Sequence, residues 1–103
     1  MAGLVLVSHD PGWALRVARQ LRAGRTAAPI VLLDAAAAVA RPTHPLADLV
    51  RQALDAGVWV AVHDEAALRR GLSAQALVDG VKTVDLDEIA DLVAEATEAV
   101  LWL

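Results

Sequence analysis

The chain contains no cysteine. That excludes disulfides, thiolate metal sites and thiol nucleophiles together, while fitting either redox environment. Phenylalanine and tyrosine are also absent and tryptophan occurs three times, so much of the 57% apolar share is alanine and valine. Positive charge is scarce: nine Lys and Arg stand against 13 Asp and Glu, for a net charge of −4. Phosphate binding needs a basic face, so no direct nucleic-acid partner is expected. No basic n-region precedes the first apolar run, and no signal peptide is read there. The longest apolar stretch, Thr26 to Ala40, is broken by Pro29 and Asp34 and is too short to cross a bilayer. No membrane partner is expected, and the cytoplasm is the expected location. Neither G-x-G-x-x-G nor G-x-x-x-x-G-K-S/T occurs, which leaves dinucleotide and P-loop readings without support.

What is present has the size of a single domain, residues 1–103. So short a chain has few places to hide this much apolar surface, which points to an oligomer. Gly3 to Val7, Ile30 to Leu33, Val58 to Val62, Val81 to Val84 and Ala99 to Leu103 read as strands. Asp10-Pro11 opens a helix with Ala14, Val17, Ala18 and Leu21 inward and Gly24 as its stop. Ala35 to Ala40 reads as a helical turn or a packed loop. Leu46, Leu49, Val50, Ala53 and Leu54 line a second helix that stops at Gly57. Asp64 to Arg70 is a short helix closed by Gly71, and Ser73 begins another turn. Asp85 and Glu88 form a capping box for the last helix, with Leu86, Ile89, Leu92, Val93 and Ala96 inward. This alternation predicts an α/β fold with three layers: a mainly parallel five-stranded sheet with helices on both faces.

In such a sheet the C-terminal strand ends share one rim, where ligands bind. His9, Asp10, Asp34, His63, Asp64 and Asp85 all fall there and make up the candidate rim site. Two histidines and two aspartates could hold a metal if the first and third strands were neighbours, but no pair has the spacing of a dedicated site. The reading favours helix caps for Asp10, Asp64 and Asp85, with the Asp64 carboxylate facing the backbone amides of Ala66 and Ala67; no metal and no cofactor are expected. Ser8-His9-Asp10 is set aside as a triad because adjacent strand residues face opposite ways. Trp13, Trp59 and Trp102 are expected to fill core or interface volume. Trp102 and Leu103, in an apolar "AVLWL" ending, are the interface candidates. The arginines Arg16, Arg19, Arg22 and Arg25 read as a solvated helix face rather than a binding patch.

From Leu46 to Leu103 the order and spacing resemble the small sulfur-relay proteins DsrE, DsrF and DsrH, also called TusD, TusC and TusB. The matching features are a helix ending "AGV", the buried strand "VWVAVH", a short helix ending "RRGL", a "GV" strand, an acidic-capped helix and a closing strand. Trp102 is similar to the tryptophan that ends DsrH-type chains. The resemblance implies a DsrE-like fold and assembly into dimers, trimers or hexamers. In catalytic members a persulfide-carrying cysteine ends the third strand, eight residues before the glycine of the Arg-Gly turn. Counting back eight from Gly71 reaches His63. An imidazole cannot hold a persulfide, so sulfurtransferase chemistry is not expected here. The implied role is that of a non-catalytic, DsrH/TusB-like subunit or docking protein. Its implied partners are further copies or cysteine-bearing DsrE-like subunits, in tRNA 2-thiolation or sulfur oxidation. His63 is then an exposed residue at a vacated position, and replacing it is expected to change stability by under about 1 kcal/mol.

A second resemblance covers the opening "GLVLVSHD" alone. It is similar to the start of the phosphotransfer domains of mannose permeases and the dihydroxyacetone kinase system, where a histidine after the serine accepts a phosphoryl group. His9 would be that residue, although the downstream pattern is absent.

Overall fold

Leu4–Val7 forms the first strand, β1, and every residue in it is buried. The chain continues through α1 (Pro11–Arg22), β2 (Ile30–Leu32), a 3-10 helix (Asp34–Ala40), α2 (Ala47–Asp55), β3 (Val60–His63) and α3 (Asp64–Arg69). A short 3-10 turn (Ala74–Ala76), β4 (Lys82–Val84), α4 (Leu86–Glu95) and β5 (Val100–Trp102) complete it. This computed structural model describes residues 3–22, 28–96 and 100–103. The expected stop at Gly24, Arg25 of the charged face and Ala99 of the last strand lie outside the described residues, as do the side chains of residues 17–22.

The five strands lie in the order β4-β3-β2-β1-β5. Every pairing is parallel, with Val5 beside Ile30, Ile30 beside Val60, Ala61 beside Lys82 and Leu4 beside Val100. The order follows from the hand of the crossovers. From β1 to β4 each step moves the same way across the sheet, so right-handed connections leave their helices on one face. The step from β4 back to β5 reverses direction, and the same hand then puts α4 on the other face.

Two cores result. On the first face Val5, Val7, Ile30, Leu32, Val60 and Val62 meet Ala14, Leu15, Val39, Val50, Ala53 and Ala66 of the covering helices. Alanines let these helices approach the valine-rich strands closely, which fills the layer without a large aromatic. On the second face Leu4, Leu6, Val31, Ala61 and Val84 are covered by Ile89 of α4, with Leu92 and Ala96 beside it.

The core half of the tryptophan expectation and the inward set of α4 change, and the open reading of the alanine run is resolved. None of the tryptophans belongs to the core: Trp13 is 51% exposed, Trp59 39% and Trp102 65%. Each sits near an element end, where a wide ring can cover an edge but cannot enter a layer built for Ala and Val. In α4 only Ile89 is buried, while Leu86 and Val93 lie exposed. The stripe 89–92–96 meets the sheet, and 86 and 93, seven residues apart, share the flank about 60° away. The alanine run resolves as a 3-10 helix whose first residue, Asp34, takes φ +47°.

Candidate functional site

The strand ends do form one rim. His9 and Asp10 follow β1, Asp34 follows β2, His63 ends β3 and Asp85 follows β4. Because β2 lies between β1 and β3, the His9–Asp10 and His63–Asp64 pairs are not on neighbouring strands. Among the described residues no group of three or more His, Asp or Glu is placed to hold a metal ion.

The aspartates are mostly occupied with backbone. Asp10 Oδ1 accepts the Trp13 amide at 3.1 Å, capping α1. Asp85 Oδ1 accepts the Glu88 amide at 2.8 Å and Glu88 Oε1 accepts the Asp85 amide at 3.1 Å, a complete capping box. Asp34 is exposed, and aspartate tolerates its positive φ better than most residues. Asp64 departs from expectation. It is the first residue of α3 rather than its cap, and its Oδ1 takes the Glu65 amide at 2.6 Å instead of those of Ala66 and Ala67. The reason is that β3 enters α3 without a loop, so His63, extended at φ −63° and ψ 122°, occupies the cap position with no side-chain cap bond.

His63 is less exposed than expected for a rim residue, with 17% of its side chain accessible. Alternation along β3 puts it on the α4 side with Ala61, beside Val84 of β4. Its Nε2 lies 3.8 Å from Asp64 Oδ1, too far for a hydrogen bond. General acid or base work needs a partner within hydrogen-bond reach, and Asp64 does not supply one.

The polar contact that sequence reasoning missed lies at the other end of the rim. Ser8 Oγ and His9 Nδ1 are 2.7 Å apart, and Trp102 Nε1 donates to Ser8 Oγ at 2.8 Å. Both Ser8 and His9 lie beyond the last residue of β1, so strand alternation does not separate their side chains. No triad results, since Asp10 is turned to the Trp13 amide. Ser8 is 4% exposed, and an indole N–H can only donate. The arrangement that satisfies every group has the Ser8 hydroxyl donating to His9 Nδ1, which puts the proton of a neutral His9 on Nε2. Leu103 closes the same corner: its carbonyl accepts from Ser8 N at 2.8 Å and His9 N at 3.1 Å, and its N–H donates to Leu6 O at 2.8 Å. It is partly buried against the first core, whereas Trp102 presents most of its ring to solvent. The "SH" after a buried strand was visible in the sequence. The β1–β5 pairing that brings Trp102 to it was not.

An open cavity of ≈ 230 Å³ is lined by Arg51, Leu54, Asp55, Val78 and Asp79. It lies where α2 ends before β3 and where the chain enters β4, at the opposite end of the strands from the rim. No helix among the described residues is long and apolar enough to cross a membrane.

No protein-family model matches the chain, and no curated protein matches it either. Solved structures do share its fold. The ychN protein from E. coli superposes with a TM-score of 0.83 at 23% identity, covering 100% of both chains. The protein of unknown function MTH1491 from Methanobacterium thermoautotrophicum gives a TM-score of 0.78 at 16% identity, again over 100% of both. At these identities the likeness is one of fold: this chain has the DsrE-like α/β fold, an all-parallel five-stranded sheet with helices on both faces.

Proposed function

We propose that the chain is a non-catalytic subunit or docking protein of an assembly resembling the sulfur-relay complexes, working beside cysteine-bearing DsrE-like subunits. The observation that supports this reading is His63. The strand end that the resemblance gives to a persulfide carrier holds a largely buried imidazole without a hydrogen-bonded acid, in a chain with no thiol anywhere. Exposed apolar residues on α4, Leu86 and Val93, give such a subunit surface for docking. A role in tRNA 2-thiolation or in sulfur oxidation fits equally, and the reading carries a cytoplasmic location with it.

The test is persulfide transfer among purified cysteine-bearing DsrE-like proteins with and without this chain. The expected result is co-sedimentation with them and a changed transfer yield, with no labelled sulfur on this chain. Failure to associate, or sulfur carried by this chain, overturns the reading. The competing phosphocarrier reading rests on His9, whose Nδ1 is engaged by Ser8 Oγ, so that Nε2 would have to take the phosphoryl group. Incubation with a phosphohistidine donor decides between them: an acid-labile label on the wild type but not on His9→Ala would establish the phosphocarrier.

A further inference from the structure

The two edges of the sheet are treated differently. On β4 the edge carries Lys82, a charge of the kind that discourages pairing with another chain. On β5 there is no charge and no proline, and Val100, Leu101 and Trp102 are 41%, 46% and 65% exposed. We propose that β5 pairs antiparallel with β5 of a second copy across a two-fold axis, joining two sheets into one. This takes from the reading above only that the chain works in an assembly.

The hydrogen-bond phase of β5 supports it. Leu103 donates to Leu6 O and accepts from Ser8 N, so positions 101 and 103 bond inward to β1. The alternating pattern of a parallel ladder then turns the N–H and C=O groups of Val100 and Trp102 outward. A two-fold centred on Leu101 sets Val100 opposite Trp102 of the second copy, and these exchange both hydrogen bonds. Leu101 meets its own counterpart in the intervening non-hydrogen-bonded pair. Each Val–Trp pair is the β-branched and aromatic combination that stabilises neighbouring strands. An isologous contact brings each residue near its own copy, where a charge would meet a like charge, and β5 has none. The Trp102 ring is already held by its bond to Ser8 Oγ, so ordering it costs the interface little.

The absence of cysteine makes the register directly testable. In a non-hydrogen-bonded antiparallel pair the Cα atoms are about 4.5 Å apart, within disulfide range. Leu101→Cys should therefore cross-link to a dimer under mild oxidation. Val100→Cys should not, because the two copies of position 100 lie about 8 Å apart. Sedimentation of the purified wild type alone should show a concentration-dependent dimer that Leu101→Arg abolishes, with circular dichroism confirming that the variant folds. Hydrogen exchange on the wild type gives a readout free of mutation: amides of Val100 and Trp102 should slow as concentration rises, while Leu101 and Leu103 stay protected throughout. A wild-type monomer, a dimer insensitive to Leu101→Arg in the folded state, or cross-linking at position 100 but not 101 overturns the proposal. A monomer that still binds cysteine-bearing partners would sink this proposal alone. A dimer that binds none would sink only the docking reading.

Discussion

Trp102 donates its indole N–H to Ser8 Oγ at 2.8 Å across 94 positions of sequence, tying the end of the last strand to the end of the first. Ser8 Oγ in turn meets His9 Nδ1 at 2.7 Å, so the hydroxyl serves two rings at once.

Ser8→Ala should therefore cost about 1 kcal/mol, because a buried hydroxyl with two partners is lost while both rings retain access to water. Trp102→Phe should cost a similar amount. The double variant should cost clearly less than the two together, since both remove the same bond. Denaturant titration of the four proteins checks this, and strict additivity would mean the contact contributes nothing.

Helix caps separate Asp85 from Asp64. Asp85 holds both halves of a capping box, so Asp85→Ala should destabilise by about 1 kcal/mol. The Asp64 side chain is 49% exposed in the first turn of a six-residue helix, and Asp64→Ala should cost about 0.5 kcal/mol through the helix dipole. Equal costs, measured by urea midpoints, would show that Asp64 acts as the true cap.

Gly71 has φ +72° with nothing near a prospective Cβ, and Gly80 has φ +99° with Leu54 Cδ1 at 3.3 Å. Alanine at either position meets the left-handed penalty of about 1–2 kcal/mol. Gly80→Ala should be the more costly, because Leu54 must also shift. Thermal melts of both variants give the order.

The strands and their helical punctuation were legible because each apolar run is short and bounded by Asp, Gly or Pro. The capping box at Asp85 was legible because both its members lie within one turn. What failed to show depends on contacts distant in sequence. Nothing local tells that β5 returns beside β1, and without that pairing neither the Trp102–Ser8 bond nor the outward phase of Val100 can be deduced. Periodicity placed Leu86 and Val93 inward because their stripe adjoins that of Ile89. The sheet beneath α4 accepts only one row. A strand end reads as exposed, yet the parity of His63 sets it beside Val84 on the α4 side.

That burial revises what His63 does for the fold, and it bears on the functional reading. Removing a largely buried ring leaves a cavity, so His63→Ala should cost about 1–2 kcal/mol, more than an exposed residue would. The same geometry decides what a thiol would do there. In His63→Cys the first amides of α3 would favour a thiolate, while the neighbouring Asp64 carboxylate and the shallow exposure oppose it. With 17% of the native side chain accessible, burial wins. The thiol should react about tenfold more slowly with a maleimide than that of Leu68→Cys, whose native residue is 67% exposed. Comparing the two rates in folded protein at neutral pH tests this. Rapid labelling at position 63 would mean that the strand end is open and poised for chemistry, and the reading of a vacated carrier position would fail.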